Sequence, residues 1–68
     1  MYVSIAKVIE ISSTSKKSFD DAVENGIERA SKTVKNIQGA WVKEMKIKVD
    51  GAKVTEYRVN MQVTFIVK

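Results

Sequence analysis

The sequence predicts an α+β chain with the element order β-α-β-β, and three observations carry that reading. The run YVSIAKVIEI, Tyr2 to Ile11, is rich in β-branched residues and holds no breaker, as a strand requires. From Phe19 onward the apolar residues recur at the i, i+3, i+4, i+7 spacing of one helical face. Asp50-Gly51 separates two alternating runs, which is the strongest short-range signal for a β-hairpin.

The first strand is expected over Tyr2–Ile11, with Ser12-Ser13-Thr14-Ser15 behind it as turn and capping chemistry. The helical stripe is Phe19, Ala22, Val23, Gly26, Ile27, Ala30, Val34 and Ile37, which predicts a helix of about 20 residues ending near Gln38-Gly39. Acids lead on its other side and bases trail, as the helix dipole prefers. Ser15 or Ser18 can serve as N-cap; with Ser18, Asp21 stands at N3 in an acidic variant of the capping box. Gly26 on the buried stripe costs about 1 kcal/mol relative to alanine, so its presence implies a close approach of the helix to the sheet. The remaining strands are expected at 40–49 and 52–67.

One domain of 68 residues is short of the size at which a single core is comfortably stable. Cysteine is absent, which excludes disulfides and thiolate metal sites, and so is histidine, the usual general base. Ser12 to Ser15 therefore form no nucleophile constellation, and the chain is not expected to be an enzyme. Oligomerisation is the remaining means of stabilisation. The last strand supports it. About 15 residues span roughly 50 Å, a helix of about 20 residues only roughly 30 Å, yet the apolar row Tyr57, Val59, Met61, Val63, Phe65 and Val67 runs the whole way. Either the strand curls around the helix or another subunit covers the excess, and both are expected. The opposite row, Arg58, Asn60, Gln62 and Thr64, is polar but largely uncharged. Met45 and Met61 are expected to fill the core.

The net charge of +4 comes from ten lysines, two arginines and eight carboxylates, with both signs scattered along the chain. Lys43, Lys46, Lys48 and Lys53 gather in the hairpin, which leaves nucleic-acid binding as a minor alternative, but with the charges mixed no nucleic-acid partner is expected. No apolar run of signal-peptide or membrane-spanning length is present, which leads to the expectation of a cytoplasmic protein with no membrane partner.

Trp41, the only tryptophan, can point either way. A two-residue turn at Asp50-Gly51 pairs Val49 with Ala52 and sets Trp41 opposite Asn60, on the polar face with Arg58. A three-residue turn shifts the register by one and sets Trp41 opposite Met61, in the core.

The segments KVIEISSTSKKSFDDAVENGIERASKTV, VKE and YRVNMQVTF resemble the dodecin family in order and spacing over nearly the whole chain, so that residues 1–68 read as one dodecin-like domain. The resemblance implies a three-stranded antiparallel sheet wrapped around one helix, with twelve copies in a hollow shell. It further implies a non-enzymatic binding protein that sequesters FMN or riboflavin, or that holds coenzyme A. In the family a tryptophan at the start of the second strand stacks on the flavin, and a glutamine on the last strand reads its polar edge. Aligning on Val42-Lys43-Glu44 places Gly39 at the tryptophan position, with Trp41 two residues later. Aligning on Tyr57 places Arg58 at the glutamine position. The ligand residues expected on this basis are Trp41, Arg58, Gly39 and Gln62, and the resemblance favours the register that presents Trp41. Family members without that tryptophan resemble this chain more closely and are associated with cations such as calcium, so the alternative is a flavin-free dodecin with cation sites or one that serves only as a shell.

Two of these residues carry a second reading. Gly39 is either a left-handed cap ending the helix or space cleared for a ligand. Arg58 either holds a phosphate or pairs with Glu44 or Glu56 across a subunit boundary. Glu10, Glu44, Asp50 and Glu56 could ligate a hard cation, although no calcium-loop spacing is present.

Overall fold

A computed structural model describes residues 5–67. The order is β1 (Ile5–Ser15), α1 (Phe19–Ala30), β2 (Ile37–Asp50) and β3 (Lys53–Val67), in one antiparallel sheet of order β1-β3-β2. The longest strand is therefore central, and α1 packs over β1 and β3. No helix among the described residues is long and apolar enough to cross a membrane.

β1 runs four residues further than expected. Ser12 to Ser15 pair with Asn60, Val59, Arg58 and Tyr57 in unbroken register, so the long central strand holds hydroxyl-bearing residues in the ladder. Residues 2–4 of the expected strand lie outside the described residues. Ser15 alone supplies turn chemistry: its buried Oγ donates to Asp21 Oδ2 at 2.6 Å and accepts from the Lys17 amide at 2.9 Å. Ser18 is the N-cap and accepts from the Asp21 amide at 3.0 Å. The Asp21 carboxylate reaches Ser15 rather than closing a reciprocal box on Ser18.

The helix is 12 residues, not about 20. Past Ala30 the hydroxyls compete for helical carbonyls, with Ser31 Oγ donating to Glu28 O at 2.7 Å and Thr33 Oγ1 to Ala30 O at 3.4 Å. The backbone tightens into turns, and Asn36 at φ 65° reverses the chain. Gly39 is consequently no cap; it lies inside β2, opposite Thr64.

The hairpin turn is displaced by one residue. Asp50 pairs with Lys53, leaving Gly51-Ala52 as the two-residue loop with Gly51 at φ 64°, the left-handed first position of a type II′ turn. Three register shifts follow along β2, at Ile37/Gly39, Val42/Glu44 and Lys48/Val49. Neither expected register holds at Trp41, because the turn has moved; the two bulges between the turn and Trp41 add one residue to each strand and offset each other.

Ala22, Val59, Met61 and Val63 are fully buried, with Ile9, Ile11, Phe19, Val23, Ile27 and Ile37 packed around them. Phe19 meets Tyr57 edge-on at 5.1 Å. Met45 is not core; it is 57% exposed on β2, beyond the helix, along with Val42 and Ile47. A helix of about 18 Å cannot cover a three-stranded sheet in a chain whose longest dimension is 58 Å.

Gly26 shows why the helix sits where it does. A Cβ there would fall 2.9 Å from both Met61 Cε and Ser13 Cβ. Methionine can yield, but Ser13 Cβ is fixed to the strand. Gly26→Ala should therefore destabilise by about 1–2 kcal/mol, overpacking outweighing the gain in helix propensity. A fall in the thermal midpoint checks this, and a midpoint raised by the substitution would mean that the helix lifts off at no cost.

Candidate functional site on the helix-free face of the sheet

The face of the sheet turned away from α1 carries the candidate residues. Trp41 stands directly across from Gln62 and is 62% exposed, and Gln62 is in turn directly across from Glu10 on β1. One row across the three strands thus reads Trp41, Gln62, Glu10. Sequence reasoning expected Asn60 or Met61 opposite Trp41; the displaced turn puts Gln62 there instead, since the bulges at Lys43 and near Thr55 add one residue to each strand and cancel.

The bulge between Val42 and Glu44 has a second effect. It lets Glu44 share this face with Lys43, whose Nζ lies 3.4 Å from Glu10 Oε1, spanning the central strand. Next to it, Asn60 Nδ2 donates to Glu44 Oε1 at 3.0 Å. These two cross-strand contacts escaped the sequence because alternation does not show where a bulge falls.

Gly39 is two pairs away from Trp41, next on the same face, opposite Thr64, whose hydroxyl donates to Gly39 O at 3.1 Å. An added Cβ at Gly39 would make only ordinary contact, 3.8 Å from Thr64 Oγ1, so packing does not demand glycine. Arg58 is not with this group. It lies opposite Lys46, four residues from Gln62 along β3, about 13 Å away. Its Nη2 is 3.6 Å from Glu56 Oε2, so its partner is an acid of its own strand, while Glu44 is engaged by Asn60. A groove of about 370 Å³ beside Arg58 is lined by Lys46, Ile47, Lys48, Val49 and Glu56. It gathers three cations around partly apolar walls, a setting that suits a phosphate on an organic ligand. The structure therefore unites Trp41, Gln62 and Gly39 and leaves Arg58 in a separate place.

The described carboxylates are spread out. No group of three or more His, Cys, Asp or Glu among the described residues is close enough to hold a metal ion.

The dodecin family model matches residues 5–68 of the sequence. The chain belongs to the dodecin family. Calcium dodecin of Mycobacterium tuberculosis is 36% identical over 63 residues, covering 93% of this chain and 89% of the relative. The solved dodecin of Streptomyces davaonensis is similar with a TM-score of 0.91 at 31% identity, each chain being covered to 96%. The solved Mycobacterium tuberculosis calcium dodecin, described as calcium-chelating with a novel calcium-binding site, has a TM-score of 0.80 at 34% identity, with 94% of this chain and 91% of that one covered. With these dodecins the chain shares its fold.

The Lys43–Glu10 pair is about half exposed at both ends, so it contributes at most about 1 kcal/mol to folding. Lys43→Met is expected to leave the thermal midpoint within a few degrees of the parent by calorimetry. A collapse of the fold would assign the pair a structural role instead.

Proposed function

We propose that this dodecin is a non-enzymatic sequestering protein, one domain over residues 1–68, assembled as a homododecameric shell in the cytoplasm. Its first ligand is a flavin, FMN or riboflavin, stacked on Trp41. The observation that carries this reading is the exposed indole set directly across from Gln62, an aromatic platform beside an amide able to read a polar ring edge. On an open sheet a flat ligand is covered on one side only, whereas small-molecule sites bury most of their ligand. A second copy must close the site, and the uncovered apolar residues Val42, Met45 and Ile47 of β2 give copies a reason to associate. The chain lacks the histidine and cysteine on which acid–base or nucleophilic catalysis commonly rests. The hairpin lysines are interspersed with Glu44, Asp50 and Glu56, which argues against a nucleic-acid partner.

Coenzyme A is the phosphate-bearing alternative within this reading, with Arg58, Lys46 and Lys48 around their groove as its anchor. A second reading, a cation-holding dodecin, is favoured by the 36% identity to calcium dodecin. Because the described acids of one copy do not converge, calcium would need carboxylates from neighbouring copies, drawn from Glu10, Glu44, Asp50 and Glu56.

Titration of riboflavin and FMN into the assembled protein should quench flavin emission at micromolar protein, and Trp41→Ala should abolish the quenching. Unchanged emission with the parent chain rejects the flavin reading. Light scattering on the same sample should give the mass of twelve subunits. For the cation reading, the thermal midpoint should rise with millimolar calcium and fall on chelation, by mass action on the folded state. A midpoint indifferent to both rejects it.

A further inference from the structure

We infer that Glu10 and Lys43 are specificity residues of the Trp41 site and that, with Gln62, they select ligands carrying an imide edge, a ring N–H between two carbonyls. The inference rests on the flavin reading of that site and adds to it which part of the ring is read, and by what.

Three placements carry it. Glu10 and Trp41 flank Gln62 in a single row across the sheet. With strands about 4.8 Å apart, the row measures about 10 Å from Trp41 to Glu10, comparable with the long dimension of a fused tricyclic ring. Lys43, two residues beyond Trp41 on the same face, reaches Glu10 across the central strand.

The chemistry of the three heads is complementary to an imide. The edge presents acceptor, donor, acceptor. A lysine ammonium is donor only, a carboxylate is acceptor only, and a glutamine amide supplies a donor with an acceptor to spare. In sum they form donor, acceptor, donor. At 3.4 Å the Lys43–Glu10 contact is looser than a well-made charged hydrogen bond. Lys43 retains further donors and can turn to a ligand without abandoning Glu10. Three other polar groups of this face are engaged: Glu44 with Asn60, Thr64 with Gly39 O, and Arg58 with Glu56. The paired charges cancel, so the row suits a neutral imide rather than an anion.

The test compares riboflavin with 3-methylriboflavin, in which the imide N–H is blocked, by emission and calorimetric titration on the assembled full chain. The parent should bind riboflavin about ten-fold more tightly or better, as befits a hydrogen bond to a charged group. Glu10→Ala should bring the two ligands within about two-fold of each other, because the acceptor for the N–H is gone. Lys43→Met should weaken both ligands by a similar factor and leave their ratio unchanged, since both retain the carbonyls. The inference is overturned if the parent binds both ligands alike, or if Glu10→Ala keeps the discrimination. A parent that binds neither ligand overturns the flavin reading itself, a result distinct from binding without discrimination. Both side chains are half exposed, so neither variant should lose its fold, and the thermal midpoint verifies that.

Discussion

The constraint on which the rest depends is the mismatch between one short helix and the sheet it packs against. α1 has 12 residues, about 18 Å of rise, whereas β3 has 15 and spans roughly 50 Å. The helix buries the middle of β3, where Val59, Met61 and Val63 are inaccessible. It leaves the hairpin end of β2 bare, with Met45, Ile47 and Val49 each about half exposed. The described residues hold no second helix and no acid cluster for a metal clip, and the sequence has no cysteine for a disulfide, to cover that surface. Association between copies is the physical response, and it closes any site that a single copy leaves open.

Much of the fold was legible in the sequence because it rests on local, periodic signals. The stripe from Phe19 to Ala30 is helical, and Gly26 on that stripe is pressed against Ser13 and Met61 as its cost in helix propensity implied. The signals that misled were those in which one residue type supports two structures. Gly39 resembles a helix cap, yet Asn36 adopts the left-handed conformation and the hydroxyls of Ser31 and Thr33 end the helix earlier. Val34 and Ile37 continue the apolar period by coincidence, with Ile37 joining the core from β2. Ser12 to Ser15 look like a turn, but a strand paired with a long central neighbour accepts them.

The candidate site was less legible for a different reason. Composition and alternation put Trp41 and Gln62 on recognisable strands, but which residue each faces depends on bulges, and a bulge has no reliable mark in one sequence. The register change at Val42/Glu44 is decisive. It keeps Val42 opposite Met61 on the helix side while admitting both Lys43 and Glu44 to the other face, where they contact Glu10 and Asn60. Regular alternation from Trp41 puts Lys43 on Trp41's own face but would have turned Glu44 to the helix side.

The departure from the family pattern also changes what one copy can do alone. By the sequence resemblance, the family's stacking tryptophan and reading glutamine would fall at Gly39 and Arg58, which face Thr64 and Lys46. Those positions are six residues apart along β3, about 20 Å, too far to touch one small ring from the same copy. A platform and reader placed there can meet only between copies. Trp41 and Gln62, in contrast, are direct cross-strand neighbours within one chain. The aromatic and the amide therefore come prealigned by backbone pairing, and assembly need only add the opposite wall. A ligand held this way is oriented by the register of one sheet, so a change in the bulge at Lys43 would disturb recognition as surely as loss of the indole.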